Sequence, residues 1–286
     1  SWRRGVLLLR HSLLILILGL LLSGCTAMVK SLDIARNQAE GPARLQGSPN
    51  QMRMDSVPEL DGNKITIAVY NFLDKTGQRK PADKIANLSS AVTQGSEVWV
   101  INALEEVGGG TWFTVVERVG LDNLIKERQL IRNTRDVYEK DLPNGPTPLK
   151  PMVFAGLLLE GGIVGYDSNV AVGGAGARYL GVGLQDEYRI DTVTVVMRVV
   201  SVSTGKVMMS VATEKTIASY RQGADIFKFL DLGTKLVESE IGWSVNEPVN
   251  YAVRAAIEAG IIELIYEGER KNYWKFKKPF NEIKEE

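Results

Sequence analysis

Cys25 and His11 are the only cysteine and the only histidine in the 286 residues, and both lie near the start. A thiolate is a strong nucleophile and imidazole is the usual base near neutral pH, but each needs partners to do chemistry. One cysteine cannot close an internal disulfide, and a lone Cys and His give zinc no ligand set, so no metal site is expected. Neither type recurs after residue 25, which removes Ser-His-Asp and Cys-His catalysis from the body of the chain. Carboxylate, lysine or tyrosine chemistry remains. Glu238 and Glu240 stand two apart, on one face of a strand, but such a pair more often lines a solvated surface than serves as acid and base. No catalytic residue is assigned and no enzyme is expected.

The chemistry that Cys25 can do is set by its flanks. Trp2-Arg3-Arg4 and Arg10-His11 make a cationic start, and Leu13 to Leu22 is almost wholly apolar. That run is too short for a comfortable membrane helix and is followed by small residues, the pattern of a cleaved signal. Leu22-Ser23-Gly24-Cys25 matches the bacterial lipobox. Residues 1–24 are therefore read as a lipoprotein signal peptide. Cys25 becomes the lipidated N-terminus, carrying a covalent diacylglycerol and an N-acyl chain such as palmitate, with no other cofactor. Thr26, in place of Asp, favours sorting to the outer membrane of a Gram-negative cell.

The glycine run GGAGARYLGVG (173–183) invites a phosphate-binding reading, and the spacing refuses it. A dinucleotide loop needs G-x-G-x-x-G between a strand and a helix. After Gly174 and Gly176 the third position holds Tyr179; after Gly181 and Gly183 it holds Asp186. No Gly-Lys-Ser/Thr follows, and neither does an amphipathic helix. A glycine-rich surface loop is the plain alternative. Against it, an alternation persists through the run. Val170, Val172, Leu180, Val182 and Leu184 share one parity, and Asn169, Ala171, Gly173, Gly181, Gly183 and Gln185 share the other. Tyr188 and Ile190 then alternate with Arg189 and Asp191.

The elements that must position these residues follow from periodicity. Lys plus Arg and Asp plus Glu number 34 each, with 44% hydrophobic and 24% charged residues. This is a globular composition with no field for nucleic acid. Residues 25–62, broken by Pro and Gly, read as a lipidated arm. Ile65 to Tyr70 alternates as a strand, and a polar loop (72–88) follows. Apolar residues at helical spacing then reach Gly108-Gly109-Gly110, a strong stop. Trp112 to Glu117 reads as a strand and 120–131 as an amphipathic helix, followed by a connection over 133–150. Further strands are expected at Val153–Val164, Thr192–Val202 and Val207–Ile217, with a turn at 203–206. Asn246-Glu247-Pro248 opens a helix, after which the basic and aromatic tail from residue 270 ends loosely. The fold class is α+β, helices on a sheet of about half a dozen strands.

Two segments, 169–191 and 220–244, do not suit a soluble domain. In the second, Phe227, Phe229, Leu230 and Leu232 alternate with charged residues up to Gly233, and Val237, Ile241 and Trp243 alternate with Glu238, Glu240 and Ser244 beyond it. Each segment supplies two strands of membrane-crossing length, about 9–11 residues, around a turn. One face of each would meet lipid and the other, polar or nearly bare, would face water. Backbone groups in lipid must all be paired, so open hairpins are not allowed and the sheet must close. A single-chain barrel needs at least about eight strands. Four per chain therefore imply an oligomer whose subunits share one wall.

VYNFLDKTGQRKP (69–81), ERVGLDNLIKERQLIR (117–132), EGGIVGYDSNVAVGGAGARYLGVG (160–183), RVVSVSTGKV (198–207) and NEPV (246–249) together resemble the curli secretion channel family CsgG, from about residue 63 to 267. The resemblance implies an outer-membrane lipoprotein with a periplasmic α/β vestibule, nine subunits sharing a 36-stranded transmembrane β-barrel. It implies an ungated, ATP-independent channel for unfolded curli-type amyloid subunits, with one accessory protein capping the periplasmic mouth and another acting at the pore. It also implies a constriction ring of Tyr, Asn and Phe from the loop before the first helix. Carried over, Asn87 matches the Asn, Leu88 stands where the Phe would be, and the Tyr falls near Ala82 and Asp83, where this chain has no aromatic residue.

The domain reading is then a signal peptide (1–24), an arm (25–62), a periplasmic α/β domain with the constriction loop 72–88 (63–168), membrane hairpin 1 (169–191), periplasmic strands (192–219), membrane hairpin 2 (220–244), and a C-terminal helix and tail (245–286). Hairpin 1 includes Val170, Val172, Gly174, Gly176, Tyr179, Leu180 and Ile190; hairpin 2 includes Phe227, Phe229, Val237, Ile241 and Trp243. The alternative function is a periplasmic outer-membrane lipoprotein that binds and regulates an envelope partner without forming a pore.

Overall fold

The computed structural model describes residues 47–77, 93–173, 186–221, 227–231 and 248–277. The chain divides into two units, Ser1–Gly47 and Ser48–Glu286, and all described residues but Gly47 fall in the second.

Six strands form one sheet in the order β2-β1-β3-β4-β5-β6. They are β1 Ile65–Asp74, β2 Phe113–Val116, β3 Leu157–Gly173, β4 Asp186–Ser201, β5 Val207–Arg221 and β6 Phe227–Asp231. β1 runs parallel to both β2 and β3. From β3 onward each strand is antiparallel to the last. The helices are α1 Gln51–Asp55, α2 Glu97–Gly110, α3 Leu121–Tyr138 and α4 Pro248–Arg270.

Alternation along β4 places Val193, Val195, Met197 and Val199 in the core. α4 lies against β4 and β5 and meets α2. Its small and branched residues Ala252, Val253, Ala256, Ile257, Ile261 and Ile265 are all buried. Pro248 opens α4, as its missing N–H suits the first helical position. α2 stops at its glycines because Gly108, Gly109 and Gly110 adopt φ of 59°, 64° and 71°, a region other residues rarely enter. A Cβ at Gly108 would also lie 2.6 Å from the Trp112 ring.

The structure corrects four boundaries. Residues 48–62, expected in the arm, belong to the second unit: Met54, Val57 and Leu60 are buried and Trp112 Nε1 donates to the Pro58 carbonyl at 2.8 Å. The tail through Lys277 is packed, because Trp274 and Phe276 stack edge-on against Trp112 and Phe276 bridges Leu60. α3 continues to Tyr138 through part of the expected connection, and β3 starts at Leu157 where Val153 was expected. The return segment instead lies along α3, held by Arg128 and Arg135 donating to the carbonyls of Lys150 and Thr147.

Candidate functional site

β3, β4 and β5 are too long for the domain that they serve. The β3–β4 ladder runs from Leu157 opposite Ser201 to Gly173 opposite Asp186, whereas β1 leaves β3 at Ile163. β4 and β5 stay paired as far as Glu187 opposite Arg221, and β6 returns along β5 from Phe227 opposite Arg221 to Asp231 opposite Ile217. A four-stranded ribbon therefore projects past the end of β1. Among the described residues, β3 beyond Ile163 is paired only with β4, and β6 only with β5. Among the described residues, the outer edges of the ribbon carry no further strand.

Where it leaves the domain, the polarity of the strand reverses. Up to Val193 the odd-numbered residues of β4 are the apolar, buried ones. The next odd residue is Asp191, fully buried, with Tyr166 donating its hydroxyl at 3.0 Å. The next even residue is the exposed Ile190. In the segment read as hairpin 1 the β3–β4 ladder gives the register. Val170 and Val172 stand opposite Arg189 and Glu187, whereas Tyr188 and Ile190 stand opposite Ala171 and Asn169. In the segment read as hairpin 2, Phe227 and Phe229 already pair back with Arg221 and Ser219, ahead of Gly233.

The neck of the loop after β1 is built from packing and a carboxylate. Gly161 and Gly162 stand where β3 passes β1. A Cβ at Gly161 would lie 2.6 Å from the Phe72 ring and 2.2 Å from the Val196 carbonyl oxygen, and one at Gly162 would lie 2.5 Å from the Leu73 carbonyl oxygen. Phe72 sinks fully into that slot. Ser96, also buried, donates its hydroxyl to the Phe72 carbonyl at 2.6 Å. Asp74 Oδ1 accepts from the Thr76 amide at 2.8 Å and from its hydroxyl at 2.6 Å, and Oδ2 accepts from Gln94 Nε2 at 3.2 Å.

Val170 and Val172 lie in β3, Ile190 in β4, and Phe227 and Phe229 in β6. Cys25, Ala82, Asp83, Asn87, Leu88, Gly174, Gly176, Tyr179, Leu180, Val237, Ile241 and Trp243 lie outside the described residues. The described residues hold no group of three or more His, Cys, Asp or Glu that could bind a metal. None of the helices described is long and apolar enough to cross a membrane. Among the described residues, shifted ionisations lie in the last turns of α4 and just beyond it. Hydrogen bonds from Arg270 and then Lys271 hold the Glu267 carboxyl below its ordinary range, and a hydrogen bond to Glu59 raises Lys277.

The family model for "Curli production assembly/transport component CsgG" matches residues 51–286. The chain belongs to the CsgG family. Relatives that carry this description include proteins of Salmonella typhimurium and Citrobacter koseri, each 40% identical over 92% of this chain and 90% of the relative. The Escherichia coli K12 protein is 38% identical over the same shares. Family membership agrees with the mixed α+β architecture. Asp74, Gln94 and Ser96 carry no signal in the sequence, being three common polar residues with no motif between them. The pair Gly161-Gly162 inside a strand was the one available signal, since glycine there marks close backbone approach.

Proposed function

We propose that this chain is one subunit of an ungated, ATP-independent outer-membrane channel that secretes unfolded curli-type amyloid subunits. The observation that carries the reading is the projecting ribbon, whose outer strands β3 and β6 have no further partner among the described residues. Unpaired backbone groups cannot stay in lipid, and an open edge invites another strand. Four strands per chain fall short of the roughly eight a barrel needs, so closure would come from copies standing side by side, β3 of one against β6 of the next. The relatives' description as curli production assembly/transport components supports the cargo class. In this reading Cys25 carries the lipid anchor, and Asn87 and Leu88, with Ala82 and Asp83, line a constriction that admits an extended chain and excludes folded protein. Nine subunits, a periplasmic cap and a pore-associated partner complete the proposal.

The pore-free alternative, a lipoprotein that binds an envelope partner, draws on α3. None of the residues of α3 is buried, and Leu130, Val137 and Tyr138 are exposed, so a protein surface could cover it. Imaging and bilayer recording of the detergent-purified protein separate the two readings. A ring of many subunits that conducts ions is expected. Monomers without conductance would overturn the channel. Cys25→Ala should abolish acylation.

A further inference from the structure

We infer that Asp74 is the positioning residue that closes the neck of the loop between β1 and α2, holding its departing and returning ends on one carboxylate. The inference rests on the channel reading for its functional consequence and on the described residues alone for its geometry.

β1 keeps its ladder to the last residue before the loop, since Lys75 still donates to the Ile163 carbonyl at 2.9 Å. The chain turns away at once, and the turn is made by Asp74: both the amide and the hydroxyl of Thr76 donate to Oδ1. The other oxygen is used twenty residues later, where the Gln94 amide group donates to it. Ser96, two residues further, donates to Phe72, two residues before Asp74. The two bridges are therefore consecutive rungs across the neck, one buried and one at the surface. An ionised carboxylate suits the outer rung, because it offers acceptors to three donors at once and charge-assisted bonds are the stronger kind. Closing a loop of this length costs entropy on the order of (3/2)RT ln n, and the two rungs offset it at a fixed point on the sheet. Every copy in a ring would then present its loop from the same place. A constriction assembled from many loops needs that uniformity, because its width is set by where the loops start.

The test uses the full-length assembled oligomer in detergent and in planar bilayers. Asp74→Ala should speed amide exchange at Thr76 by about tenfold, as expected for losing a hydrogen bond to a charged group, and should raise open-channel current noise with the subunit count unchanged. Gln94→Glu sets two carboxylates against each other and should do the same. The double variant Asp74→Asn/Gln94→Glu restores a donor facing an acceptor, and should return both readouts to within about twofold of the parent, a reversal that general loss of structure cannot produce. Should Asp74→Ala fail to assemble, Gln94→Ala removes only the exposed outer bond to Oδ2 and should raise the current noise while leaving exchange at Thr76, whose amide is held by Oδ1, unchanged; unchanged noise in that variant would overturn the assignment. Unchanged exchange and noise in the single variants, or a double variant no better than Gln94→Glu, would overturn the assignment. A parent oligomer that does not conduct would sink the channel reading instead, with the exchange measurements still deciding the neck.

Discussion

The backbone amide of Asn50 donates to Glu258 Oε2 at 2.9 Å, joining the start of the folded unit to the middle of its last helix. The Asn50 side chain donates to the same oxygen at 3.3 Å and to the Ala255 carbonyl at 2.9 Å. The other Glu258 oxygen takes the Arg254 guanidinium at 2.9 Å, in a pair with side chains 10% and 2% exposed. A buried charge pair gives modest net stability when intact, but removing one partner is expensive because the other keeps its desolvation cost. Glu258→Ala should therefore destabilise the domain by about 3–5 kcal/mol in urea titration. It should also expose residues 48–60 to protease before the sheet unfolds. Glu258→Gln keeps acceptor and shape and should cost less.

Trp112 joins three parts of the chain distant in sequence. It is fully buried, donates to Pro58, and meets Trp274 and Phe276 edge-on, each with centroids 5.8 Å away. Trp112→Ala should cost about 3–5 kcal/mol, the usual range for a buried aromatic. Because its partners lie on the arm and the tail, cleavage within 270–277 should accelerate more than cleavage within β4. Equal acceleration at both sites would mean that Trp112 stabilises the core generally and does not hold these ends.

How legible this was in the sequence depends on the range of the cause. Local causes read well: the glycine stop at 108–110, Pro248 at the helix start, and the turn before Lys206, where Gly205 takes φ 68°, all depend on a few adjacent residues. Long-range docking was invisible. Residues 48–60 look like a broken polar arm until Trp112 and Glu258, far along the chain, arrive to bind them. α3 reads short because its outer half has no apolar face to show, yet Arg128 and Arg135 tie it to the return segment. Strand existence in the ribbon followed from alternation, but register did not: nothing local in Val170-Ala171-Val172 says that Arg189 and Glu187 will stand opposite its valines.

The C-terminal end of α4 and the segment after it should lose stability in both acid and alkali, through different groups. Hydrogen bonds from Arg270 and Lys271 depress Glu267 below its ordinary 4.5. The folded state thus binds fewer protons than the unfolded state in that window, and the stabilisation present above 4.5 is lost as pH falls through the folded value. Lys277 is raised above its ordinary 10.5 by Glu59, so its contribution is full below 10.5 and lost as pH rises through the folded value. Glu267→Gln should flatten the acid limb of a thermal-stability profile, and Lys277→Met the alkaline limb. Both groups lie at the surface, so high salt should shrink both effects. An acid limb unchanged in Glu267→Gln would assign that limb to other carboxylates.

Cysteine pairs can decide whether the outer edges of the ribbon meet, since the chain has one native cysteine, Cys25. Within a subunit β3 and β6 are separated by β4 and β5. At about 4.8 Å per strand spacing, residues on the two edges lie roughly 14 Å apart. A disulfide needs Cα atoms within about 7 Å, so a bond between the two edges can form only between copies. Cysteines placed at Val170 or Val172 together with Phe227 or Phe229 should, on oxidation of the detergent-purified protein, give a ladder of covalent multimers for at least one of the four pairings. The pairing that succeeds would report the register across the subunit boundary. Monomers alone from all four would mean that these edges do not meet, and the closed wall would have to be abandoned together with the channel.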